Sequence, residues 1–217
     1  MIETPVSPST RPRAGRPSRE QARLRHEELL DRALEIFLER GFEMTTIDAI
    51  AAAVGMTKRT VYARYEDKKA LFRATVERAV ERWIVPVERL HAAETDDLEE
   101  TLVAVARIRI RNAFSPVGQR LMRIVNSESY RFPEIFRIAH EQGSQPTIHY
   151  LADLFTRHAA RGEIVVEDAG IAAAAFLSMV VGGPTRSVVW GSVPGDDEAD
   201  ARMRFCVRLF LNGARAR

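Results

Sequence analysis

The sequence predicts an all-α protein, and three observations carry that prediction. Apolar residues recur at three- and four-residue spacing, with charges between them, through most of the chain beyond residue 19. Helix-capping side chains and first-turn prolines stand in front of those periodic segments. No series of alternating strands is present to build a sheet. With 217 residues, 46% apolar and 29% charged, the composition is that of an ordinary globular protein. Its length suits one large domain or two small ones.

Residues 1–18 are rich in proline, carry Arg11, Arg13 and Arg16, and show no periodicity, so they read as a flexible basic arm. The first helix begins near Glu20, places Leu29, Leu30, Ala33, Ile36 and Phe37 on one face, and stops at Gly41. Thr45-Thr46-Ile47-Asp48 opens a short Ala-rich helix that ends at Gly55. Thr57 caps a second short helix, from Lys58 to about Ala63. Asp67 caps a longer one, expected over 68–90. Further helices are expected near 96–113, 116–128, 133–142, 146–161, 168–182 and 196–213. Pro116, Pro133 and Pro146 suit first turns, Asp168 and Asp196 suit caps, and Gly143 with Pro146 is expected to break the chain between two helices. The run 105–111 alternates like a strand, but its Ala-rich flanks and the lack of a partner strand favour a helix.

Several function classes are excluded by composition. The longest apolar run, 171–183, is too short for a membrane span of about 20 residues. The N-terminus lacks the apolar stretch of a secretory signal, and the single cysteine, Cys206, can form no intrachain disulfide, so a reducing cytoplasm is expected. There is no glycine-rich phosphate loop, no His-Glu-x-x-His and no GxSxG, which argues against an enzyme. No zinc spacing appears, His140, His149 and His158 make a poor metal set, and no cofactor is expected.

The chemistry lies in the two short helices and the Gly-containing turn between them, a helix-turn-helix unit. In TKRTVYARY only Val61 and Tyr65 read as buried, leaving Thr57, Lys58, Arg59, Thr60, Tyr62 and Arg64 to face outward. Long donors, hydroxyls and a polar-tipped aromatic on one short helix suit base edges and phosphates in a major groove. A solvated charged face would look the same from these residues alone.

The longer string decides between them. From about Arg25 to Arg78, the ordered features FLERGFEMTT, IDAIAAAVGM, TKRTVY and YEDKKALF resemble the DNA-binding domain of TetR/AcrR-family transcriptional regulators. The resemblance implies an N-terminal three-helix DNA-binding domain over 19–66 and a C-terminal helical ligand-binding and dimerisation domain over 67–217. It places Thr57, Tyr62 and Lys68 on phosphates and spreads Lys58 to Arg64 over the base-reading surface; Thr46 and Arg16 complete the candidate DNA contacts. Arg59 and Ala63 depart from the residues common in the family. The arm triplet Gly15-Arg16-Pro17 fits either a minor-groove contact or a solubilising tail.

The same resemblance implies a homodimer on a palindromic double-stranded operator, most often a repressor, released by a small and apolar or amphipathic effector; the alternative is an architectural or ligand-independent DNA-binding regulator. Trp83, Phe114, Met122, Phe136, Tyr150, Phe155 and Phe176 are candidates to line its pocket, although aromatics at helical spacing also serve as plain core. The last two helices carry Phe176, Met179 and Val180, then Met203, Val207 and Phe210, more apolar surface than a small domain covers. These six are the candidate dimer seam, with Phe210 as its anchor.

Overall fold

The computed structural model describes residues 18–183 and 195–214, all of them helical or in short connections, with no strand among them. Helix α1 spans Arg19–Met44 and opens with a reciprocal cap, Gln21 N–H donating to Ser18 Oγ at 3.1 Å and Ser18 N–H to Gln21 Oε1 at 3.0 Å. At Gly41 the backbone turns left-handed (φ 73°), as expected of a helix stop, but one more turn follows before Thr45. Thr46, Thr57 and Asp67 cap α2 (Ile47–Ala53), α3 (Lys58–Tyr62) and α4 (Lys68–Trp83), each accepting a backbone N–H three residues on.

Helix α4 ends at Trp83, short of the expected Leu90. Pro86 has no N–H to donate and disfavours helical backbone at Val85, so the chain restarts as a separate turn, α5 (Val87–His91). Asp97 and Ser115 cap α6 (Leu98–Ala113) and α7 (Pro116–Glu128). The alternating run 105–111 lies inside α6. Helix α8 (Pro133–Ile138) passes through a π-helical turn, Ala139–Ser144, directly into α9 (Gln145–Ala160). The expected break at Gly143 and Pro146 is therefore absent: the wider turn accommodates a proline that supplies no hydrogen bond. Helix α10 (Ala169–Leu177), capped by Asp168, ends in a second π-turn, Ser178–Gly182, and α11 covers Asp196–Ala214.

Two apolar cores result. The first joins α1–α4 to α7 and α8, with Leu29, Phe37, Ile50, Val61, Phe72, Leu121, Ile124 and Ile135 all buried. Its centre is aromatic: Phe37 meets Phe72 edge-on at 4.7 Å, and Phe42 meets Phe132 edge-on at 4.6 Å. The second joins α5, α6, α9, α10 and α11 through Leu102, Val105, Leu154, Phe155, Val180 and Val207. The helix-turn-helix is thus not closed by its own residues. Phe132 and Ile135, from the chain well beyond it, complete its core, and Lys69–Glu134 (3.0 Å) with the Arg131–Glu43 pair tie the same elements at the surface.

Candidate nucleic-acid interface and sensor region

Helix α3 has only five residues and is held at two points. Val61 is inserted into the first core, and just past the helix Tyr65 Oη lies 2.5 Å from His26 Nε2 on α1, the two rings stacked. Burial, with Arg64 and Arg78 nearby, holds His26 below its ordinary pKa, and burial raises that of Tyr65. These anchors leave Thr57, Lys58, Arg59, Thr60, Tyr62 and Arg64 exposed on one surface, the arrangement expected of them. Thr46, at the start of α2, is exposed too.

The exposed donors are not equivalent. Thr57 Oγ1 already accepts from Thr60 N–H at 3.1 Å and lies 2.8 Å from Thr60 Oγ1, so both hydroxyls are oriented. Lys58 Nζ donates to Asp48 at 2.7 Å, and that hydrogen bond raises the lysine pKa. Arg59 and Arg64 enter no ion pair among the described residues. Asp48 was not among the candidates, and its ten-residue separation from Lys58 gives no periodic signal.

Lys68 departs from the phosphate role implied by resemblance. Its ammonium donates to the carbonyls of Phe42 (2.8 Å), Glu43 (3.1 Å) and Thr45 (3.0 Å) at the end of α1. An ammonium has three donors, and all three are spent on the fold. Arg16 lies outside the described residues.

The candidate pocket residues divide between the two cores. Trp83 is buried in the first. Tyr150, Phe155 and Phe176 are buried in the second, where Tyr150 Oη donates to Leu90 O at 3.3 Å. Phe114 and Met122 are half-buried. Phe136 is 59% exposed and stacks on His140 at the surface, so it lines no interior space. His158 is buried, its Nδ1 2.6 Å from Glu163, and among the described residues no cluster suits a metal ion.

The seam candidates are largely spent inside the chain. Phe176, Val180, Met203 and Val207 are buried within this protomer and have no surface left for another copy. Phe210 is half-buried, stacked 5.2 Å from Phe155 and edge-on to Phe176 at 5.1 Å. The outward faces are elsewhere: Phe205 and Leu209 on α11 and Ile171 on α10 are 59%, 53% and 70% exposed. Ile171 and Leu209 border a groove of ≈ 570 Å³, into which half-buried Met179 and Phe210 reach.

One buried residue escaped the sequence reading. Arg109 on α6 is 1% exposed, and its Nε and Nη1 have no hydrogen-bond partner among the described residues. Its Cζ stands 5.1 Å from the centre of the Trp83 ring. A signal existed: with Leu102, Val105, Ala106 and Ala113, Arg109 completes the inward stripe of α6 at helical spacing.

Residues 29–75 match the family model described as bacterial regulatory proteins, tetR family. Residues 100–213 match that of the AefR-like transcriptional repressor, C-terminal domain. The HTH-type transcriptional repressor ComR of Escherichia coli K12 is 27% identical over 169 residues, covering 75% of this chain and 79% of ComR. The HTH-type transcriptional repressor BepR of Brucella suis biovar 1 is 28% identical over 168 residues, 72% of this chain and 77% of BepR. Among solved structures, the flavonoid-responsive regulator FrrA superposes with a TM-score of 0.70 at 30% identity, covering 89% of this chain and 98% of FrrA. A TetR-family regulator from Mesorhizobium loti superposes with a TM-score of 0.75 at 22% identity, covering 90% and 99%.

Proposed function

The chain belongs to the TetR family of transcriptional regulators, and on that premise we propose that this DNA-binding regulator is a homodimeric repressor released from a palindromic operator by a small molecule. The observation that carries the reading is α3 itself. It spends one buried side chain, Val61, on the fold and leaves Arg59, Tyr62 and Arg64 exposed around it. A helix so arranged suits the major groove, where arginine recognises guanine through paired donors.

Two copies are needed for selectivity, because one such helix spans too few base pairs. The exposed stripe Phe205–Leu209 on α11, with Ile171 on α10, is the surface that supports a two-fold helix-pair contact. This moves the proposed seam off Phe176, Val180, Met203 and Val207 and onto the opposite face of the same helices. Release requires an effector that binds the non-operator conformation more tightly. The shared core of α1–α4 with α7 and α8 supports such coupling, since a shift of the sensor helices displaces side chains that the helix-turn-helix needs. The response named for FrrA, to flavonoids, supports a small aromatic effector here.

Selection of bound sequences from a random DNA pool tests the reading. The expected product is a palindrome with half-site centres about 34–36 Å apart, or a stretched version of it. Enrichment of no sequence, or of sites lacking two-fold symmetry, would overturn it.

A further inference from the structure

We propose that Arg109 is the anion-recognising residue of an effector site beside Trp83, and that the effector is an organic acid with an aromatic or apolar body. The inference rests on the effector-release reading and narrows its ligand class. Arg109 lies on the buried face of α6, whose apolar neighbours Val105, Ala106 and Ile110 belong to the second core, while Trp83 belongs to the first. The guanidinium therefore sits where the two halves of the molecule meet.

Buried guanidinium groups are normally matched by a carboxylate or by several carbonyl oxygens. Here Nε and Nη1 have no acceptor, and no carboxylate forms an ion pair with Arg109, among the described residues. The sequence of 184–194, PTRSVVWGSVP, contains no acidic side chain to supply one. Burial alone pushes the Arg109 pKa down to about 10, with no opposing pull from a negative charge. Among the described residues the Trp83 face is its one favourable electrostatic contact, and a single cation–π interaction returns less than the desolvation of a guanidinium costs.

A second unmet donor lies next to the first. Trp83 Nε1–H is buried without an acceptor. Asn112, one turn from Arg109, holds the Trp83 carbonyl at 2.6 Å and so fixes the end of α4. Gly143 lets the indole approach, since a Cβ there would come within 2.3 Å of Trp83 Cζ3. A planar cation with two unmet donors, Nε and Nη1, and an indole N–H with one recognise an oxyanion attached to a flat or apolar group. A neutral ligand leaves the charge uncompensated.

The test uses the full chain and a set of one- to three-ring aromatic carboxylates, each paired with its carboxamide. Calorimetric titration and thermal melting are the readouts. The wild type is expected to bind at least one carboxylate about 10-fold or more tightly than its amide, with a rise in Tm. Arg109→Met should lose that preference while melting no lower than the wild type, because it removes an unpaired buried charge. Arg109→Lys, which keeps the charge but not the planar fork, should also bind the carboxylate about 10-fold more weakly and stands in should the Met variant not fold. Equal binding of carboxylate and amide, no binding by any carboxylate of the set, or an unchanged preference in the variants overturns the proposal. Operator release is scored separately. A carboxylate that binds through Arg109 without displacing DNA leaves the site standing and defeats the release reading. Displacement that is identical in wild type and Arg109→Met does the reverse.

Discussion

Lys68 Nζ stands 4.4 Å above the centre of the Phe42 ring and donates to the carbonyl of that same residue at 2.8 Å. With Glu43 O and Thr45 O it completes a three-carbonyl cap on the end of α1, where unpaired carbonyls concentrate negative potential. This lysine begins α4, so one ammonium fastens the first and fourth helices at the point where the chain turns into the helix-turn-helix.

These bonds give Lys68 a structural role. Lys68→Met should lower stability by about 1–3 kcal/mol, the range for hydrogen bonds to a charged group. Chemical denaturation checks the loss. The salt dependence of operator binding, measured on the still-folded variant, should keep its slope. A slope reduced by about one would return Lys68 to the phosphates.

Arg59 makes the opposite prediction. It is exposed and enters no ion pair among the described residues, so Arg59→Ala should leave the melting temperature unchanged. Specificity should relax at particular base pairs by roughly 1–3 kcal/mol, read from a library of single-substituted sites. Uniform weakening across the library would assign it to the backbone instead.

The dimer seam is tested by a pair of neighbouring residues. Leu209→Asp, at a position 53% exposed, should give a folded monomer in sedimentation that has lost cooperative operator binding. Phe210→Asp puts its charge against Phe155 and Phe176, and should instead lower the melting temperature sharply. A dimeric Leu209→Asp protein with full operator affinity would place the seam on another surface.

His26 adds a pH dependence. Its folded pKa lies below the ordinary value of 6.5, so the unfolded chain takes up a proton that the folded chain resists. The resulting loss of stability is absent well above pH 6.5 and grows as pH falls from that value toward the folded pKa. His26→Gln should remove this component, giving a smaller difference in denaturation midpoint between pH 7.5 and pH 5.5. Equal differences in the two proteins would show that His26 titrates alike in both states.

Local features were legible in the chain because they depend on neighbours three or four residues away. The caps at Thr46, Thr57, Asp67 and Asp168, the first-turn prolines and the outward set on α3 follow from hydrogen-bond reach and helical spacing alone. So do the all-α class and the helix-turn-helix. Pro86 is equally local, and its conflict with a helix running to Leu90 lies within the same reach.

Long-range partners obey no such spacing. Lys68 meets carbonyls more than twenty residues away, Phe132 closes a core begun at Phe37, and Arg109 faces Trp83 across two helices. An apolar face on α11 is visible in the sequence, but not which of its stripes a neighbouring helix consumes. Packing settled that: α11 lies against α6 and the π-turn Ser178–Gly182, with Met203 and Val207 buried and Phe205 and Leu209 left exposed. Helical periodicity sets the direction of each side chain about its own axis, whereas the identity of what it meets depends on how the axes cross.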